Sequence, residues 1–320
     1  MRIGILSAST KGADLHENKR LSEEILDLGH EPEIINYRQT AVAVTEEGRF
    51  LYKFDESDNP QPVDVDAVIP RVGKFVEAGA MALRLLTSKN IYSTAEPNSI
   101  ERAKSKMSTH IWLDSNGIPT PYSIHPTGTK PENPRPTLRL LTNDPQQKVI
   151  LKTDRGSHGN GVVMAESRRS AISQAQAFQS NQIKYLIQEF AEAPDASSLA
   201  SDIRLIVVEG RIVAAMKRQA QDEEDFRSNL KQGAKGTIYE PTPRETELAL
   251  KSCEILDLQV AGVDIIPSQR GPLVNEVNVS PEFGIEKVTE VNVARAIAEL
   301  AVRKASEKIV PLEIEEEKAA

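Results

Sequence analysis

Residues 261–287, AGVDIIPSQRGPLVNEVNVSPEFGIEK, carry the pattern that decides the fold. Two apolar runs flank Ser268-Gln269-Arg270-Gly271, which is a strand–turn–strand signal. Asp264 interrupts the first run, and Glu276 and Asn278 interrupt the second. Two residues apart in a strand, Glu276 and Asn278 point to one face. Asp264 falls close to level with Glu276 for any short turn at 268–271, its opposite residue depending on the turn length. If all three share a face, two carboxylates and an amide oxygen converge, and such carboxylates repel or shift in pKa. A hard divalent cation removes that conflict, and magnesium favours a few carboxylates plus phosphate and water. No histidine lies near the hairpin in sequence, which argues against zinc. The plainer alternative is an exposed strand face carrying ordinary charges.

Working outward, KVILKTDRGSHGNGVVMAE (148–166) reads as strand, glycine loop, strand. It is not a phosphate-cradling Gly-Lys-Ser/Thr loop, because no helix opens there. Alone it suits a plain turn; with Lys152 beside it, it reads as a flap whose bare backbone N–H groups approach an anion. Lys152 sits in the apolar run VILK, and a lysine on a buried strand needs an anionic partner such as phosphate. His158 in the loop suits either phosphate contact or plain solvation. The strand YLIQEFA, the loop EAPDASSLAS and the hairpin DIRLIVVEGRIVAAMKRQA, turning at Glu209-Gly210, follow. Helices PTPRETELALKSCEILD and VNVARAIAELAVRKASEK frame the 261–287 hairpin, and LEIEEEKAA reads as a solvated acidic tail.

Upstream, strands RIGILS, EPEIINY and DAVIPRVG alternate with helical ENKRLSEEILDLGH and VEAGAMALRLLTSK, with a polar hairpin around Glu47-Gly48. That alternation indicates a parallel α/β layer over residues 1–95. LSASTKGADL lacks the dinucleotide fingerprint, so the layer is Rossmann-like without Rossmann chemistry. One helix is expected in IERAKSKMSTHIWLDSNG, stopped by Gly117 and the following prolines. HPTGTKPENPRPT (125–137) reads as a surface loop.

Composition narrows the class. A chain of 320 residues holds two or three packed units. A net charge of −8 argues against nucleic-acid binding but permits a local basic cleft. The single cysteine, Cys253, excludes an intrachain disulfide framework and a cysteine-based zinc site, and its helical setting suggests an inert packed thiol. No signal-peptide apolar region or membrane-length apolar run is present, so a soluble cytoplasmic protein is expected.

The ordered set of lysine–glycine flap, QEF strand end, DIR, DFRSNL and GVDI…NEVNVSPEFGIEK resembles the ATP-grasp ligases over nearly the whole chain. RIGILS, AVIPRVG, AGVDI, RGPLV and GIEK are similar to the RimK-type subgroup, L-glutamate ligases that extend the C-terminus of a small-subunit ribosomal protein. The resemblance implies an α/β and α+β chain with the ATP-grasp fold. Its units are an N-terminal pre-ATP-grasp domain at 1–95, a central domain with the flap at 96–188, a C-terminal domain at 189–312 and a tail at 313–320. It implies Lys106 and Lys152 on the nucleotide phosphates, covered by Gly156, Ser157, Gly159 and Gly161 of the flap. Glu189 and Phe190 match the linker whose backbone reads adenine, and Asp202 a nucleotide contact. Arg204, Arg227, Ser228 and Asn229 match the phosphate and acyl side, with Arg204 and Arg227 as catalytic candidates. Asp264, Glu276 and Asn278 match ligands for two magnesium ions, with manganese as a substitute.

The implied reaction joins a peptide or protein C-terminal carboxylate to the amine of L-glutamate at the expense of ATP, through an acylphosphate. A basic pocket of Arg71, Arg204, Arg227 or Lys287 would select an acidic amino acid, although Arg71 and Lys287 also suit surface ion pairs. The resemblance further implies a homo-tetramer, with no nucleic acid and no membrane as partner. Two other readings fit: a small-molecule carboxylate–amine ligase of glutathione-synthetase or coenzyme-tailoring type, and a non-catalytic nucleotide-binding regulator. The complete set of charged groups disfavours the last. Departures from the subgroup lie in loops around the cleft, where specificity resides: the flap DRGSHGNG, Glu282 after Pro281, the lengthened EAPDASSLAS and the Pro-rich 125–137.

Overall fold

The computed structural model describes residues 1–8, 16–127, 134–156, 161–194, 200–221 and 233–319, with side chains given as far as residue 308. The chain begins with β1 (Arg2–Ser7), α1 (His16–Asp27) and β2 (Glu31–Asn36). A hairpin of β3 (Thr40–Thr45) and β4 (Gly48–Phe54) follows, with β5 (Pro60–Pro62) as its third strand. Next come β6 (Ala67–Arg71), α2 (Val76–Ser88) and β7 (Tyr92–Ser93). Strands β2, β1, β6 and β7 form a parallel sheet in that order, as the alternation of strands and helices predicts. Almost every residue of β1 and β6 is buried, the pattern of a parallel strand covered on both faces.

The expected single helix over 100–117 is two: α3 (Pro97–Lys104) and α4 (Lys106–Asp114). Ser105 between them is extended, with φ −92° and ψ 120°, and its hydroxyl caps α4 by accepting from the Ser108 N–H at 3.1 Å. The same hydroxyl donates to Asp154 at 2.9 Å, so a long-range contact stabilises a break that helical periodicity does not reveal. Short β8 (Ser123–Ile124) precedes α5 (Arg135–Leu141), which takes up the end of the segment expected as loop.

The central unit continues with β9 (Val149–Thr153), β10 (Val162–Ala165), α6 (Arg168–Ser180) and β11 (Tyr185–Glu189). Its antiparallel sheet runs β10, β9, β11, β8 and has its own core, including Leu138, Leu151, Tyr185 and Ile187. The last part comprises β12 (Ser201–Val208), β13 (Arg211–Gln219), β14 (Lys235–Ile238), α7 (Pro243–Ile255), β15 (Val260–Ser268), β16 (Gly271–Asn278), α8 (Glu286–Thr289) and α9 (Val293–Ala319). Its sheet runs β14, β13, β12, β15, β16, all antiparallel. A capping box starts α7: Thr242 accepts from the Glu245 N–H, and the Glu245 carboxylate returns the bond to the Thr242 N–H.

The N-terminal and C-terminal sheets share cores. Leu6, Val68 and Leu83 pack in one apolar cluster with Leu205, Val263 and Val277. Ile5, Ile69 and Leu21 pack in another with Ile206, Phe283 and Ile297. Each such side chain, fully buried, contributes about 1.5–3 kcal/mol. The backbone of the acidic end is helical through Ala319, a continuation of α9. Cys253 is buried, and burial pushes its thiol up to about 12. Among the described residues, no helix is long and apolar enough to cross a membrane.

Candidate active site

Strand register assembles the site. Asp202 lies opposite Arg218, Arg204 opposite Asp264, Asp264 opposite Glu276, and Gly262 opposite Asn278. Residues paired across a sheet share a face, as do residues two apart. Asp202, Arg204, Arg218, Asp264, Glu276 and Asn278 therefore form one polar face on four strands. Gly262 leaves room above that face: a Cβ there would come within 3.1 Å of the Pro281 side chain.

Two arginines hold the carboxylates. Arg204 donates to both oxygens of Asp264, at 2.7 and 2.6 Å. Arg218 donates to Asp202 at 2.7 Å and stands 3.2 Å from Asp264. Asn278 donates its amide NH2 to Asp264 at 3.4 Å, which turns its amide oxygen away from that carboxylate. Burial pushes the buried Asp264 upward, but the charges of Arg204 and Arg218 outweigh it and hold the carboxyl below its ordinary range. Asp202 goes the other way: burial, with Asp264 adding to it, raises it against the pull of Arg218.

Facing this sheet are the lysines. Lys106, at the start of α4, stands 3.6 Å from a Glu276 oxygen and donates to the Gly156 carbonyl at 3.2 Å. Lys152 on β9 is buried and donates to the Asn275 side chain at 2.8 Å. Burial lowers its amine to about 8, with Glu276 opposing the shift. A cavity of about 190 Å³ opens between these groups, lined by Lys104, Lys106, Arg155, Gly156, Glu276 and Asn278 among others. Two more open hollows of about 450 and 530 Å³, around Arg2 and around Asn90, contain none of the nominated residues.

Four residues beyond the sequence reading complete the frame. Arg218 bridges the two buried aspartates. Asn275 is the extra residue of a β-bulge, since Asp264 pairs with Glu276 while Ile265 pairs with Val274. The bulge lets Lys152 reach it, and His110 donates from Nε2 to its carbonyl at 3.0 Å. Asp154 accepts from Ser105 Oγ at 2.9 Å and the Met107 N–H at 3.2 Å, clasping the base of the glycine loop to α4. The only sequence trace of the bulge is NEVN, whose adjacent Asn275 and Glu276 break strict strand alternation.

At the other end, the Glu189 carboxylate accepts from the Tyr122 N–H at 2.9 Å and from Arg270, whose guanidinium lies 4.0 Å from the centre of the Tyr122 ring. The Glu189 N–H is bound to the Tyr122 carbonyl at 2.9 Å. Gly161 has φ +74°, and a Cβ there would meet Thr153 Cγ2 at 2.5 Å, so the flap base requires glycine. Among the described residues Arg71 makes no ion pair; its guanidinium lies over the Phe283 ring at 5.1 Å. Lys287 is exposed on α8 and is not among the cavity-lining groups. Ser157, His158, Gly159, Arg227, Ser228 and Asn229 lie outside the described residues.

Charge balance tests the fit of a cation. Asp202, Asp264 and Glu276 face Arg204, Arg218, Lys106 and Lys152, so the face has no surplus of negative charge. Among the described residues no group of three or more His, Cys, Asp or Glu side chains is poised to hold a metal alone. Glu276, with its side chain 29% exposed, and the Asn278 oxygen suit a cation that arrives already paired with a polyanion.

Comparison with known proteins agrees with this architecture. A family model of the RimK pre-ATP-grasp domain matches residues 1–100, and one of the RimK-like ATP-grasp domain matches 103–301. The chain is 34% identical over 305 residues to the probable alpha-L-glutamate ligase 2 of Hahella chejuensis, covering 95% of this chain and 96% of that one. It is 36% identical over 300 residues to the probable alpha-L-glutamate ligase of Syntrophotalea carbinolica, covering 93% and 94%. In fold it is similar to the ATP-grasp ligase PsnB complexed with minimal precursor, Mg and ADP, with TM-score 0.67, 16% identity and 95% and 98% coverage. It is similar also to the D-alanine–D-alanine ligase of Bacillus anthracis complexed with ATP, with TM-score 0.67, 17% identity and 96% and 99% coverage. With both halves matched by family models and near-complete relatives above 30% identity, the chain belongs to the RimK-like ATP-grasp family and is an enzyme of the ligase class.

Proposed function

We propose that the protein is an ATP- and magnesium-dependent ligase that adds L-glutamate to the C-terminal carboxylate of a peptide or protein, a ribosomal small-subunit protein being the substrate the resemblance implies. The observation that carries this reading is the polar sheet face that bears Asp264, Glu276 and Asn278, of which Glu276 and Asn278 line the 190 Å³ cavity together with Lys106. The names of the relatives support glutamate, and neighbours such as PsnB, complexed with a precursor, support a peptide acceptor.

Glu276 and the Asn278 oxygen would hold magnesium, with Asp264, both of whose oxygens accept from Arg204, fixed behind them; the ion would supply charge neutralisation along the nucleotide phosphates. Lys106 and Lys152 draw charge from the same phosphates. The acceptor carboxylate attacks the γ-phosphorus, the bond to the bridging oxygen breaks, and ADP leaves with an acylphosphate formed. The glutamate amine, having lost a proton, attacks the acyl carbon and expels phosphate. Positioning and electrostatics suffice for both steps, and Arg204 holds Asp264 rigid through them. The segments 1–95, 96–188, 189–312 and 313–320 are proposed as the working units, with nucleotide between the second and third.

Incubation with ATP, magnesium, L-glutamate and candidate peptides, read by mass spectrometry, tests the proposal. Successive additions of one glutamate residue to the peptide are expected, with ADP released in step. ADP release with small acceptors alone would replace the peptide reading with a small-molecule one. The absence of ADP release with every acceptor would overturn catalysis altogether.

A further inference from the structure

Strict strand alternation would send Asn275 to the face opposite Glu276. The bulge on β16 cancels that alternation: Asn275 pairs with no residue of β15, and both it and Glu276 line the 190 Å³ cavity. Helix α4 grips this irregular stretch with two side chains one turn apart. Lys106 stands 3.6 Å from the Glu276 carboxylate, and His110 donates from Nε2 to the Asn275 carbonyl at 3.0 Å. Burial keeps the His110 ring neutral, so with its proton on Nε2 it presents Nδ1 to the Ser123 hydroxyl, 3.1 Å away on β8. The backbone of the bulge is therefore held by a buried ring whose own orientation β8 fixes.

From this fixed point the Asn275 side-chain oxygen accepts from Lys152 Nζ at 2.8 Å. Lys152 belongs to the central sheet and Asn275 to the C-terminal one, so the bond joins the two units and brings a buried amine to the cavity wall. Among the described residues Lys152 makes no ion pair, and this amide oxygen is its one acceptor. An ammonium has three N–H donors, so with one taken by Asn275 two are left for a ligand. An amide oxygen fixes the direction of the ammonium yet carries no net charge. The full positive charge stays available to an incoming polyanion, whereas a carboxylate in the same place would cancel it. Resting on the ligase reading, we propose that Asn275 is a positioning residue of the nucleotide site, aiming Lys152 at the phosphates while leaving its charge uncompensated. His110 acts one step further back, by holding the bulge.

The test is calorimetric titration of ATP–magnesium into the full chain, using wild type, Asn275→Leu, Lys152→Met and the double variant. Leucine keeps the approximate volume and removes the acceptor. Asn275→Leu is expected to weaken binding by about 10- to 100-fold, the range for losing a charged hydrogen bond. In the Lys152→Met background the same change should weaken it by less than about twofold, because Asn275 acts through that lysine. Equal losses in both backgrounds would mark a structural role and overturn the proposal. Asn275→Asp covers a folding failure of the leucine variant, since it keeps both shape and acceptor. It should melt near the wild-type temperature yet bind ATP–magnesium about 10-fold more weakly or worse, its carboxylate cancelling the Lys152 charge. Wild-type affinity in Asn275→Asp would equally overturn the proposal. The titration needs neither glutamate nor an acceptor, so the predicted pattern supports the role of Asn275 even where no peptide is extended. A wild type that binds no ATP–magnesium would overturn the ligase reading and this role with it.

Discussion

Arg218→Met tests the electrostatic frame of the site most directly. The guanidinium of Arg218 stands between Asp202 and Asp264, all three side chains at most 10% exposed. Asp264 keeps Arg204, but Asp202 loses its ion-pair partner. Removing one partner of a buried pair costs about 3–5 kcal/mol. Unfolding entropy near 2.1 cal/mol/K per residue gives roughly 0.7 kcal/mol per degree for this chain, so the melting temperature should fall by about 4–8 °C. The sign of the pH effect follows from Asp202, whose carboxyl burial already raises. Without Arg218 the folded state holds that proton more tightly than the unfolded chain does, so stability declines as pH rises through the carboxyl range. The deficit should therefore be smaller at pH 5 than at pH 8, and Asp202→Asn in the same background should recover most of it at pH 8. Calorimetric melts at both pH values provide the assay. A drop under about 1 °C, or one equal at both pH values and unrescued, refutes the reasoning.

Three further outcomes are expected. Glu276→Gln should lower turnover by about 100-fold or more with the fold intact, because its long contact with Lys106 is worth under about 1 kcal/mol while its charge lines the cavity proposed for the nucleotide phosphates; full activity in saturating magnesium would remove it from the site. Gly161→Ala, strained at φ +74° and crowded by Thr153, should cost about 1–3 kcal/mol in a denaturation series, with Thr153→Ser relieving the Cγ2 clash alone. His110 is buried, and burial lowers it to about 4 from an ordinary value of 6.5. Its contribution is fully present above about pH 6.5 and is lost as pH falls toward 4, by about 3 kcal/mol, so His110→Gln should flatten acid denaturation over that window.

Much of the site was legible because strand periodicity is local. The two-residue spacing of Glu276 and Asn278 places them on one face whatever they pair with, and the short turn brings Asp264 level. Lys152 announced itself as a charge in an apolar strand. By contrast, 100–117 reads as one helix because its periodicity continues through Ser105; Asp154, distant in sequence, supports the break there. Pro60–Pro62 as a third strand was equally invisible, since its pairing with β4 and not local pattern sets it.

The sequence by itself determined the alternating α/β layer, the antiparallel hairpins and the shared face of Glu276 and Asn278, because each depends on residues a few positions apart. Tertiary structure alone decided which charges neutralise which. Arg218 reaches Asp202 only through the register of β12 on β13, and Asn275 reaches Lys152 only because a bulge turns it across the cleft. Pairing register and the packing of separate segments are long-range outcomes, settled when apolar faces close on one another, and they leave almost no trace in any short window of the chain.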